Sequence, residues 1–218
     1  MLEKLRKAMK AADIDMLLIP SADPHGSEYP EEYFKARKHF SGFTGSAGTL
    51  LIWQGGAGLW TDGRYFLQAE RQLEGSGIDL FKMREPGVPT VDEFIAENIK
   101  GGVLGADLRT ISASEGMELE KGGAILKDCR SLIDGCWEGR PELSREPAYV
   151  LPMELAGVSS SDKLGAVRAE MAKCDANACI FTDLADIAWL FNIRGNDVKY
   201  LPVALSYAIV EKQKAYVF

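Results

Sequence analysis

Two histidines, His25 and His39, are the only imidazoles in a chain of 218 residues, and they set the first limit on its chemistry. Imidazole is the usual general base near neutral pH and a frequent metal ligand. Neither histidine has a second one at i+3 or i+4, so the helical H-E-x-x-H arrangement that holds zinc cannot form. His25 lies in Ala22-Asp23-Pro24-His25-Gly26, a turn sequence. His39 follows Arg37-Lys38 at a predicted helix end, where a cation complements the helix dipole. Polar contact and dipole complement are the plain readings of the pair.

Nucleophiles are no better signalled. Ser160-Ser161-Asp162-Lys163 has an S-x-x-K spacing, but it falls at the predicted start of a helix, where serine caps are expected. There is no G-x-S-x-G elbow. Cys129, Cys136, Cys174 and Cys179 match no metal or redox spacing and read as reduced thiols. Gly42-Phe43-Thr44-Gly45-Ser46-Ala47-Gly48 suggests a phosphate cradle, yet it lacks the P-loop lysine and precedes a strand rather than a helix. Its glycines read as places of positive φ or close backbone approach.

Two further strings carry polar groups worth placing. In Thr61-Asp62-Gly63-Arg64-Tyr65, Asp62 is positioned to cap a following helix, Arg64 to pair with a carboxylate, and Tyr65 to offer an apolar body with a polar tip. The rival reading turns Arg64 and Tyr65 toward a substrate cleft in an assembled enzyme. Around the string Asp186 to Asp197, Leu184, Ile187, Ala188 and Phe191 form one helical apolar face, followed by the turn Arg194-Gly195-Asn196-Asp197.

The elements that must position these residues come from a repeat. Leu2, Leu5, Met9 and Ala12 make an amphipathic stripe, and Leu164, Val167, Met171 and Cys174 reproduce it at a constant offset of 162 residues. Arg6 matches Arg168 and Asp13 matches Asp175 in the same register. Each helix leads into an apolar run, Met16 to Ile19 or Ala178 to Phe181, that reads as a buried strand. Thr49 to Trp53 and Gly58 to Asp62 continue the first copy as strands, echoed by Val203 to Val210 and Lys214 to Phe218. Between the copies the pattern predicts a helix over 62–73, a strand over 78–83, a capping box at Thr90 and Glu93, a strand over 103–107, a second box at Ser112 and Glu115, and a last strand over 129–133. Arg140 to Ser161, with prolines at 141, 147 and 152, reads as a linker.

Composition bounds the class. With 46% hydrophobic residues the chain can bury a sizeable core in one or two domains. A net charge of −7 without basic clustering argues against a nucleic-acid footprint. The amino terminus lacks the apolar core of a signal peptide and no segment reaches membrane-spanning length, so no membrane partner and a cytoplasmic setting are expected.

Phe40 to Gln68 resembles a known family closely. G-S-A-G-T followed by W-T-D-G-R-Y-F-L-Q-A is similar to the amino-terminal domain of the Xaa-Pro aminopeptidases (aminopeptidase P) of the creatinase/prolidase superfamily. Asp186 to Asp197 and Pro202 to Ile209 look like strings of the second domain of these enzymes. The resemblance implies an α/β fold, a mixed sheet flanked by helices, followed by an incomplete second copy of the same unit. The expected domains are 1–155, creatinase-type, and 156–218, a truncated second creatinase-type domain. Family chemistry lies in a third domain, where two divalent metals, manganese or zinc, activate the water that attacks before a penultimate proline. None of those ligand positions has a counterpart here, so no residue is assigned a catalytic or metal role and no cofactor is expected in this chain. The resemblance makes Asp62, Arg64, Tyr65, Arg194 and Asn196 the candidates for a substrate rim or interface. It implies proline-containing peptides as substrates of the parent's catalytic domain and a homodimer as an arrangement of the intact enzyme. The reading is a non-catalytic amino-terminal part of such a peptidase, serving substrate access, cleft shaping or assembly. The alternative is a stand-alone, peptidase-like interaction module with no hydrolase activity.

Overall fold

The amphipathic stripe at the amino terminus forms α1 (Leu2–Ala11), which buries Leu5 and Met9. Its end is a hydrogen-bonded reversal. Asp13 takes a left-handed φ of 51°, and the Ile14 amide reaches back to the Met9 carbonyl at 2.9 Å. This computed structural model describes residues 1–218 and divides into two units. The first comprises Met1–Pro24 and Glu28–Glu142; the second comprises His25–Ser27 and Leu143–Phe218.

In the first unit α1 leads to β1 (Met16–Pro20), α2 (Ala36–Ser41), the hairpin β2 (Thr49–Trp53) and β3 (Gly56–Thr61), α3 (Phe66–Leu73) and β4 (Asp79–Lys82). Then follow α4 (Val91–Ile99), β5 (Val103–Ala106), α5 (Ala113–Lys121), β6 (Ile125–Asp128) and α6 (Arg130–Cys136). The strands form one sheet in the order β4-β3-β2-β1-β5-β6. β1–β2 and β2–β3 are antiparallel, whereas β3–β4, β1–β5 and β5–β6 are parallel, so the sheet is mixed as expected.

Met16, Leu17, Leu18 and Ile19 are all buried, which requires cover on both faces of the sheet. Leu17 and Ile19 join Leu5, Met9, Phe40, Phe43, Leu50, Ile52 and Leu59 on one side. Met16 and Leu18 join Leu51, Trp60, Ile95, Ile99 and Leu104 on the other. Both capping boxes form reciprocally, Thr90 with Glu93 and Ser112 with Glu115.

Of the strand expected over 203–210 only 208–210 is strand, and a second expectation is corrected outright. Residues 129–133 are not a strand: Cys129 is the N-cap position of α6, and β6 lies before it. Cys129, Ile133 and Cys136 are buried at helical spacing, while β6 is an edge strand with mostly exposed side chains and so carries little apolar signal.

The second unit holds β7 (Tyr149–Val150), α7 (Met153–Ala156), α8 (Ser160–Lys173), β8 (Ala178–Phe181), α9 (Leu184–Leu190), β9 (Ile193–Arg194), β10 (Ala208–Glu211) and β11 (Ala215–Val217). β8, β10 and β11 make an antiparallel sheet in the order β11-β10-β8 that repeats the pairing of β1, β2 and β3. The duplication reaches into detail. Asp175 has the same φ of 51°, and the Ala176 amide reaches the Met171 carbonyl at 2.9 Å. Arg6 Nε donates to the Trp53 carbonyl at the end of β2 at 3.1 Å, and Arg168 Nε donates to the Glu211 carbonyl at the end of β10 at 2.9 Å. The segment read as a linker is partly built in, because Tyr149–Val150 pairs with β9. Pro147 and Pro152 flank that short strand rather than interrupt it. No helix is long and apolar enough to cross a membrane.

Candidate functional site

The glycine loop and the start of α3 meet at the end of β3. Thr61, fully buried, donates through Oγ1 to the Ala47 carbonyl at 2.7 Å and fastens the loop to the strand. Asp62 does not cap the following helix. That helix begins only at Phe66, with no side-chain cap, and Asp62 instead closes a turn on Arg64. Oδ1 of Asp62 accepts from the Arg64 amide at 3.0 Å and from Nε at 2.9 Å, while Oδ2 accepts from Nη2 at 2.8 Å. The side-chain bond from Arg64 is the main reason that the Asp62 carboxyl is pulled down to about 2. The same contact raises the Arg64 guanidinium further above its ordinary value. Arg64 keeps 65% of its side chain exposed, so its charge is presented to solvent in a fixed orientation.

Tyr65 works in the other direction. Its ring meets Phe43 edge-to-face at 5.9 Å, and its hydroxyl lies 2.8 Å from Ser46 Oγ. Gly45 must be glycine here, because a Cβ would sit 2.3 Å from Phe43 Cζ and 2.8 Å from Tyr65 Cδ1. Gly42 meets the other expectation for this loop, a positive φ of 73° that ends α2. Asp62, Arg64 and Tyr65 are therefore brought to one corner. Arg194 and Asn196 belong to the second unit. There Arg194 Nη1 donates to the Ala188 and Ile193 carbonyls, each at 2.8 Å, bracing the end of α9, and Asn196 is exposed.

Sequence reasoning passed over Arg37. In Lys35-Ala36-Arg37-Lys38 it reads as one charge in a solvated run, yet it is 5% exposed. Its Nε donates to Ser21 Oγ at 2.8 Å, Nη1 to the Phe43 carbonyl and Nη2 to the Gly45 carbonyl. The available signal was helical: Arg37 shares its turn of α2 with buried Ala36, Phe40 and Ser41. Lys163 was likewise read only as part of a helix start, and it is buried with Nζ on the Trp189 carbonyl at 2.7 Å and Asn192 Oδ1 at 2.6 Å.

Neither histidine belongs to a group of three or more possible metal donors. His39 stacks on Trp137 with centroids 4.5 Å apart, and burial lowers its pKa. His25 Nδ1 lies 3.0 Å from the Thr182 carbonyl and its ring stacks on Tyr207. All four cysteines are free thiols. No group of three or more His, Cys, Asp or Glu side chains is close enough to hold a metal ion, so the donor set does not fit a dinuclear centre.

A family model described as Creatinase/Prolidase N-terminal domain matches residues 1–136, and a second of the same description matches residues 139–218. The chain is 40% identical over 218 residues to aminopeptidase P1 of Lotus japonicus, covering 97% of this chain and 32% of that protein. It is 41% identical over 224 residues to a probable Xaa-Pro aminopeptidase P of Coccidioides posadasii, covering 100% of this chain and 36% of the relative. Among solved structures it is similar to the X-prolyl aminopeptidase of Caenorhabditis elegans, described as a cytosolic enzyme with a di-nuclear active site. That likeness has a TM-score of 0.91 at 34% identity, over 100% of this chain and 38% of the other. The chain thus spans about a third of the length of the relatives it matches.

Proposed function

This chain belongs to the creatinase/prolidase N-terminal-domain family, and on that premise we propose that it serves as the non-catalytic amino-terminal part of a metal-dependent Xaa-Pro aminopeptidase. The observation that carries this reading is coverage. Similarity to Xaa-Pro aminopeptidases runs through the whole chain yet accounts for only about a third of their length. The donor set of this part does not suit a dinuclear centre. The two divalent metals, manganese or zinc, then belong to the part of such an enzyme that this chain does not match. So does the release of a residue preceding a penultimate proline.

The contribution of this part is to substrate access, cleft shaping or assembly in the cytoplasm, with two copies pairing in the intact enzyme. The Asp62–Arg64 turn suits it. A guanidinium held at both ends of its fork by one carboxylate remains open to a peptide or to a neighbouring domain. Tyr65 anchors that corner, and Arg194 and Asn196 are the corresponding candidates in the second unit.

The test has two parts. The purified 218-residue chain, given Mn²⁺ and an Arg-Pro-Pro peptide, releases no arginine; metal-stimulated turnover would overturn the assignment. In the intact enzyme, Arg64→Ala raises KM about threefold to tenfold with kcat unchanged, the signature of lost uniform binding. An unaltered KM would remove Arg64 from the rim.

A further inference from the structure

Arg37 is a buried cation whose charge has no anion beside it. Its hydrogen-bond partners, Ser21 Oγ and the Phe43 and Gly45 carbonyls, are all neutral oxygens, and none of the ion pairs of the structure includes it. Two of the five guanidinium N–H donors are left over from those bonds. A buried charge held only by neutral groups retains much of its desolvation cost. Burial pushes the Arg37 pKa down to about 10, which still leaves it cationic at neutral pH.

The residue lines a cavity of about 220 Å³ that lies wholly within the first unit. Lys35 and Lys38 line it as well, so three cations face one carboxylate, that of Glu28. Lys35 is engaged by Glu32, whereas Lys38 is exposed and makes no ion pair. The remaining wall is mixed: Tyr29, Pro30 and Phe34 give it an apolar side, and the Thr44 and Ser46 hydroxyls a polar one. An apolar cavity of about 150 Å³ is large enough for benzene. This one therefore has room for an aromatic ring together with a charged group.

We infer that this cavity is a binding site for a small carboxylate with an apolar body. The carboxylate sits by the Arg37 guanidinium, with Lys38 adding attraction, and the apolar body lies against Tyr29, Pro30 and Phe34. The site does not rest on the peptidase reading, because its walls include none of the rim candidates Asp62, Arg64, Tyr65, Arg194 and Asn196. It also gives the glycine loop a second use, since the carbonyls that hold Arg37 aim its fork.

The experiment uses the intact 218-residue chain at pH 7, with benzoate as probe, benzamide as its neutral isostere and inorganic phosphate as the anion without an apolar body. Binding is followed by calorimetry and by the Arg37 Nε–Hε resonance together with the Thr44 and Ser46 amides. Benzoate binds saturably and shifts these resonances, while benzamide and phosphate each bind at least about tenfold more weakly, the scale of a lost charge-assisted hydrogen bond. Lys38→Gln, an exposed substitution that leaves the fold intact, weakens benzoate about threefold, as loss of one solvent-screened charge should. Arg37→Met abolishes binding, and because Arg37 also braces the loop, Lys38→Gln and the resonance map carry the test if that variant does not fold. Equal binding of benzoate and benzamide, phosphate as tight as benzoate, or benzoate shifts confined to residues outside this cavity would each overturn the site.

Discussion

Gly45→Ala isolates the packing that joins the glycine loop to the core. The new Cβ would lie 2.3 Å from Phe43 Cζ, 2.9 Å from Phe43 Cε1 and 2.8 Å from Tyr65 Cδ1. Carbon atoms rest about 3.5–4.0 Å apart, so the Phe43 ring must retreat by more than about 1 Å. It has nowhere to go. Phe43 is 0% exposed, its ring sits 4.9 Å below the Arg37 guanidinium carbon, and Tyr65 stands against it edge-on. Overpacking of this kind costs about 1–3 kcal/mol, and the upper half of that range is expected because both neighbours are themselves hydrogen-bonded. Gly42→Ala is the contrasting case. Nothing lies within 4 Å of its Cβ, but φ is +73°, so it costs about 1 kcal/mol through backbone strain alone. Phe43→Leu removes the ring edge and should rescue Gly45→Ala by at least about 1 kcal/mol relative to additivity, while leaving the cost of Gly42→Ala unchanged. Because the chain has two units, global unfolding need not be two-state. The opening free energies of the Leu50 and Ile52 amides in β2, read by native-state hydrogen exchange, report the first unit alone. A Gly45→Ala cost below about 0.5 kcal/mol, or strict additivity with Phe43→Leu, would refute the close-approach argument.

Two further outcomes follow from the polar contacts. The Asp62 carboxyl, lowered to about 2 by Arg64, titrates in the side-chain carbon resonance with a midpoint near that value, and Arg64→Ala returns it toward about 3.9. A depressed carboxylate stabilises the fold fully above its unfolded pKa and loses that contribution as pH falls from about 4 to about 2. For so exposed a pair, Asp62→Asn costs under about 1 kcal/mol above that window and nothing below it. A wild-type midpoint near 4 would contradict the bidentate pairing. Lys163→Met strips the buried Nζ from the Trp189 carbonyl and Asn192 Oδ1, leaving Oδ1 without that donor and the carbonyl with only the Asn192 amide at 3.4 Å, at a cost of about 1–3 kcal/mol. The loss should appear in the β8 and β10 amides and leave those of β1 and β2 unchanged; uniform loss across both units would sink it.

Local rules decided what was legible in the sequence. The stripe of α1 and its echo in α8, the matching aspartates that follow them, both capping boxes, and strand β1 with its unbroken apolar run were all readable because each is set by neighbours within a few residues. The family, too, was written in short strings around the glycine loop. Where those rules compete, reading was poorer. Residues 129–133 carried an apolar density that fits strand or helix, and the parallel pairing of β6 with β5, some twenty residues away, settled it. Asp62 had the right type and place for a cap, but the Arg64 fork offered it more bonds than a helix end, and α3 starts later.

Tertiary structure alone decided the fate of Arg37. A guanidinium in a charged run belongs in water by composition, and its place on the buried side of α2 does not say what would hold its charge. It is buried because the chain folds back after α2 and lays the Phe43 and Gly45 carbonyls across it, with Ser21 arriving from the end of β1. The same closure is what leaves Gly45 no room for a side chain and gathers the cations around the cavity. Composition and spacing specify the elements, since propensity and periodicity act along the chain. Which polar group is desolvated, and which neutral oxygens must hold it, depends on backbone brought together across the fold.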